Sequence, residues 1–130
     1  MRIEILEIVD PLQGVVSFRC GSGTANGFWK GSRSAEVAEF DVEVEVPEEV
    51  VEWVPSASAS TSLSGIVEDS FAVLVVGEVI ACGSDDDPVV ELRVGAGVIL
   101  AEITDRRSEL SVGDLISFRT PEIHLYPYDV

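Results

Sequence analysis

The sequence predicts an all-β protein, a small Greek-key barrel or sandwich with little helix. Three observations carry this. Apolar residues recur with period two through most of the 130 residues, glycine and other turn residues break the chain at short intervals, and helical periodicity is almost absent. Many short strands fold stably as a sandwich or a barrel, and barrel closure also hides the valine-rich edges that would otherwise pair with other chains.

Taken in order, residues 2–9 form a first strand with Ile3, Ile5 and either Ile8 or Val9 inward, and residues 14–20 form a second. Residues 21–34 read as a long glycine-rich loop, with Phe28 and Trp29 docking on the core edge. The clearest strand is 36–46, where Phe40, Val42, Val44 and Val46 face one way and Glu39, Asp41, Glu43 and Glu45 the other. Residues 47–55 are ambiguous. Pro47 followed by two acids suits a helix start, while Val50, Val51 and Pro55 limit any helix to one or two turns. The Ser/Ala stretch 56–64 reads as a flexible connector. Strands follow at 65–70, 71–82, 88–95 and 97–103, then a polar loop or single helical turn at 104–110, then strands at 112–119 and 122–128. The length suits one β domain over 1–130, which could divide only into 1–55 and 65–130 around the connector. The similar contexts FRCGSG and IACGSD also raise a duplication, one strand–turn–strand unit per half.

Charge narrows the function classes. Twenty-four acids against eight bases give a net charge of −16, and residues 36–88 hold fourteen of those acids without a Lys or Arg. Nucleic acid and anionic membrane surfaces are excluded as partners, because both are bound by releasing counterions with Lys and Arg, and Lys30 is the only lysine. A basic protein partner fits the asymmetry, and adaptation to high salt is the competing explanation. The longest apolar run, 71–77, is far below the roughly 20 residues of a spanning helix. Glu4 and Glu7 interrupt any secretory pattern at the N-terminus, so a cytoplasmic location and free, buried thiols at Cys20 and Cys82 are expected.

The tail LSVGDLISFRTPEIHLYPYD, residues 110–129, resembles the end of the TOBE module that follows the ATPase of many ABC importers. The matching residues are Leu110, Gly113, Asp114, Pro121, Glu122, His124, Leu125 and Tyr126. The resemblance implies a small OB-like Greek-key barrel, and with it a ligand- or cation-binding barrel as an alternative function. It does not imply transport, since the chain carries no phosphate-binding GxxxxGK[ST] loop. In type alone the chain is also similar to small acidic bacterial β-proteins, some of which are immunity proteins to secreted toxins.

No motif for catalysis stands out. His124 is the only histidine, no GxSxG elbow is present, and no CxxC or cofactor loop occurs, so neither an enzyme nor a metal or cofactor is expected. Asp41, Glu43 and Glu45 stand roughly 6.7 Å apart along one strand face. That spacing is met by any strand of this pattern, but a row of like charges costs stability and leaves room for a function. Asp85, Asp86 and Asp87 lack the alternation of a calcium loop and read as a turn that could add to the same negative surface. Trp53 fits either a core plug or a partner-facing contact, and Trp29 fits the core. The expected partner-binding set is therefore Glu39, Asp41, Glu43, Glu45, Trp53, Asp85, Asp86 and Asp87, meeting a basic protein. Oligomeric state is left open.

Overall fold

The computed structural model describes residues 1–66, 68–84 and 86–128. The chain is all-β, with strands β1 (Arg2–Asp10), β2 (Val15–Cys20), β3 (Gly23–Trp29), β4 (Glu39–Glu45), β5 (Val54–Pro55), β6 (Ser62–Ile66), β7 (Asp69–Cys82), β8 (Val89–Val94), β9 (Gly97–Glu102), β10 (Leu115–Thr120) and β11 (His124–Pro127). A single 3-10 turn, Arg107–Glu109, lies between β9 and β10. Five strands close a barrel in the order β1–β2–β3–β11–β4–β1. Every pairing in this ring is antiparallel except β3 with β11, which is parallel. That is the strand order of an OB-type Greek-key barrel, with β11 arriving from the far end of the chain.

The outer strands repeat the same order. β7–β8–β9 is an antiparallel run. β9 then runs parallel beside residues 44, 45 and 50, and β10 pairs with β7 on one side and with β5 on the other. Residues 44–55 thus stand in this second, less completely paired ring where β11 stands in the first. The correspondence holds residue by residue at a separation of 74 positions. Glu4↔Arg19, Ile5↔Phe18, Glu7↔Ser17 and Ile8↔Val16 in the first ring recur as Glu78↔Arg93, Val79↔Leu92, Ala81↔Glu91 and Cys82↔Val90 in the second. The β2–β3 ladder recurs unshifted as β8–β9. The ion pairs match as well: Arg19–Glu4 and Arg93–Glu78 are each 2.5 Å. Each half of the chain thus supplies the fifth strand of the other half's ring.

This repeat differs from the one suggested by the CGS turns. Gly21-Ser22 makes the tight β2–β3 turn, whereas Gly83-Ser84 opens the longer β7–β8 connection. The equivalent of FRCGSG (18–23) is LRVGAG (92–97). A shared bulge at Leu6 and at Ile80 explains the first strand. One extra residue after Ile5 flips the inward face, so Ile8 packs on the core and Val9 is exposed.

Other expectations change with the tertiary contacts. The predicted loop 21–34 contains β3, whose backbone pairs with β2 and β11 despite three glycines in 21–27. The ambiguous segment 47–55 is extended rather than helical and ends in β5. The connector 56–64 gives its end to β6, because Leu63 is fully buried and its N–H donates to the Ser22 carbonyl at 3.2 Å. The GD turn at 113–114 leads β10, with Gly113 and Asp114 exchanging backbone bonds of 2.8 Å with Val79. Both thiols are free, but Cys82 is exposed rather than buried and Cys20 is half-buried.

One hydrophobic cluster fills both rings. It takes Ile3, Ile5, Phe18, Val42 and Leu125 from the first ring and Val79, Leu92, Ile99, Ile116 and Trp53 from the second. Arg107 fixes the turn over one end. Its guanidinium donates to the carbonyls of Gly83 (2.7 Å), Asp87 (3.2 Å), Pro88 (2.9 Å) and Ile103 (3.2 Å). Arg107→Ala leaves these acceptors without their donor and should lower unfolding stability by about 1–3 kcal/mol. Faster amide exchange confined to 83–89 in that variant is the accompanying signature. Unchanged exchange there would show the turn to be held by other contacts.

Candidate functional site

Strand alternation and register place one continuous line of side chains on the outer surface of five strands. Phe28 on β3 pairs with His124 on β11, His124 with Glu45 on β4, Glu45 with Leu100 on β9, and Leu100 with Glu91 on β8. Neighbouring strands are about 4.8 Å apart, so the line spans roughly 19 Å and crosses from one ring to the other. Tyr126 and Glu43 pair across the ladder beside this line, as do Glu102 and Val89. The residues that alternate with these, Leu125, Val44, Ile99 and Leu92, are fully buried in the core. The period-two pattern of 39–46 therefore fixes both the inner wall and the outer charge with one strand.

The expected acidic row does not act as a unit. Arg2 lies 3.4 Å from Glu39 and 3.3 Å from Asp41, because β1 pairs with this end of β4. Glu43 and Glu45 lie on the other half of the strand, beside β11 and β9, and are joined there by Glu91 and Glu102. Among the described residues, none of these four carboxylates takes part in an ion pair. A shallow depression of about 260 Å³ lies beside two of them, lined by Glu45, Val46, Pro47, Val89, Leu100, Ala101 and Glu102.

Trp53 corrects the partner-facing expectation. It is 4 % exposed, its Nε1–H donates to the Asp105 carbonyl at 2.7 Å, and the Arg106 guanidinium covers its ring at 4.1 Å. The indole is a core plug of the second ring. Asp87 serves the β7–β8 turn, its Oδ1 accepting from the Val89 N–H at 3.1 Å and its N–H donating to the Ser84 carbonyl at 2.9 Å. Asp86 is exposed on that turn, and Asp85 lies outside the described residues.

The aromatic part of the surface escaped the sequence reading. Phe28 faces outward rather than docking on the core. Its ring lies between Phe71 (centroids 5.6 Å apart, tilted by 42°) and His124 (5.9 Å, tilted by 60°), and His124 lies 6.3 Å from Tyr126. His124 Nε2 is 3.0 Å from Glu122 Oε1, and its side chain is half-buried at the edge of the acidic region. Trp29, by contrast, packs against the core and meets Phe40 edge-on at 4.9 Å.

Fold and surface together define a class: a closed five-strand barrel joined by strand exchange to a second, less completely paired ring, carrying a sheet face that is aromatic at one side and acidic across the rest. Comparison with protein-family models, with curated proteins and with solved structures finds no match for this chain. Among the described residues no helix is long and apolar enough to cross a membrane.

Proposed function

We propose that this protein is an acidic interaction module that docks a basic protein through the β4–β9–β8 face, with Glu43, Glu45, Glu91 and Glu102 as its charged contacts. One observation carries the reading. Among the described residues, arginines pair with Glu4, Glu39, Asp41, Glu78, Asp105 and Glu109, and strand register gathers Glu43, Glu45, Glu91 and Glu102 on one face with no ion pair to any of them. Like charges held side by side in a sheet cost stability, and a cationic surface recovers that cost when it docks. Leu100 and Val98 between the carboxylates supply apolar contact. An inhibitor or immunity protein against a basic toxin is the most concrete form of this role. Asp86, exposed on the neighbouring turn, extends the field without being a fixed contact.

The test compares two variants of equal net charge, using a nona-lysine peptide as the probe. Glu43→Gln/Glu45→Gln should weaken binding about tenfold at low salt, and Glu48→Gln/Glu49→Gln about twofold or less. Equal losses in the two variants would refute the assigned face. A melting midpoint raised strongly by molar KCl, with no difference between the variants, would favour salt adaptation instead.

A further inference from the structure

We propose that the aromatic row Phe71, Phe28, His124 and Tyr126 is a guanidinium-stacking anchor, so that the basic partner engages this protein through arginine rather than lysine side chains. The inference rests on the docking role assigned to the adjoining acidic face and names the chemistry that face selects.

The two ends of the row are exposed, while Phe28 and His124 between them are partly buried. Phe71 is 40 % and Tyr126 36 % accessible, and none of the four rings belongs to the hydrophobic core cluster. The four rings are neighbours at 5.6, 5.9 and 6.3 Å, tilted by 42°, 60° and 57°, so the faces open to a ligand are those of Tyr126 and Phe71 at the two ends. Lys30 Nζ already sits 5.9 Å from the Phe28 centroid, so the guanidinium site falls on Tyr126 at the other end of the row. Strand register then sets a carboxylate beside each ring at the acidic end, Glu45 opposite His124 and Glu43 opposite Tyr126. Directly opposed Cβ atoms in such a ladder are about 4.5–5.5 Å apart. A planar guanidinium laid on Tyr126 can therefore stack on the ring while its N–H fork reaches the Glu43 carboxylate. An ammonium has no plane to stack and no fork to share. Stacking rows also bind single-stranded nucleic acid, but only beside cations that hold the phosphates, and Glu43, Glu45, Glu91 and Glu102 would repel them here.

The experiment measures binding of nona-arginine and nona-lysine peptides to the full chain at one low ionic strength, with Tyr126→Leu and Phe71→Leu as variants. Leucine keeps apolar bulk at both positions, and a melting curve checks that each variant is folded. The wild type should bind nona-arginine about tenfold more tightly than nona-lysine, since each stacked cation contributes roughly three- to fivefold. The leucine variants should lose most of that preference while binding nona-lysine as before. If both peptides bind equally, and only Glu43→Gln/Glu45→Gln weakens them, the anchor is overturned while the docking role stands. If neither peptide binds, the docking role falls and the anchor with it. Binding of a single-stranded oligonucleotide that Tyr126→Leu abolishes would also overturn the proposal.

Discussion

Cutting the backbone in the connector should leave a protein of native size. A protease recognition sequence inserted between Ser58 and Ala59, in an exposed turn that follows the Ser56 N–H bond to the Leu115 carbonyl and carries serine contacts among Ser56, Ser58 and Ser60, separates fragments 1–58 and 59–130 once cleaved. Each fragment keeps its fifth strand inside the other's ring. Ile123 and Leu125 remain in the first ring, fully buried, and Val50 and Trp53 remain in the second at 5 % and 4 % exposure. Withdrawing each of these side chains costs about 1.5–3 kcal/mol of burial, and the strand ladders break with them. The cleaved protein should elute as one species in native buffer and as two in urea. Its melting midpoint should also rise with protein concentration, because unfolding now releases two chains. Two fragments eluting apart without denaturant would show that the exchanged strands do not hold the halves together.

Gly23→Ala should be among the most damaging single substitutions, and Gly21→Ala, two residues earlier in the same turn, should be mild. Gly23 opens β3 at φ +146°, and an added Cβ would stand 2.1 Å from the carbonyl oxygen of Leu63, where β6 crosses the β2–β3 turn. Backbone cannot yield there without lifting Leu63 out of the core. A loss of about 3 kcal/mol, or roughly 10 °C in melting midpoint, is expected. At Gly21, at the start of the same β2–β3 turn, an added Cβ would have no heavy atom within 4 Å. The cost there should stay below about 1 kcal/mol. Equal midpoint shifts in the two variants would mean that the β6 crossing is not the tight contact described.

The 74-residue repeat was legible only in part. Glu4 and Glu78, Arg19 and Arg93, Gly21 and Gly95, and Pro47 and Pro121 all stand 74 positions apart, a signal present in the sequence but masked by the more conspicuous CGS pair. The acidic face was half legible. Alternation in 39–46 put Glu43 and Glu45 outward, but alternation says nothing about which strand lies alongside. Only the pairing with β1 gives Arg2 to Glu39 and Asp41, and only the pairing with β9 and β8 adds Glu102 and Glu91.

By itself, the order of residues determined the strand class, most strand limits, the two-faced character of β4 and the net acidity of the chain. These are local or summed properties, written in period and composition. Tertiary structure decided the rest: the exchange of fifth strands, the burial of Trp53, the outward turn of Phe28 and the company kept by each carboxylate. Those depend on hydrogen bonds between segments as far apart as β3 and β11, and a ladder between distant strands is chosen by the closure of the whole ring rather than by any stretch of sequence read alone.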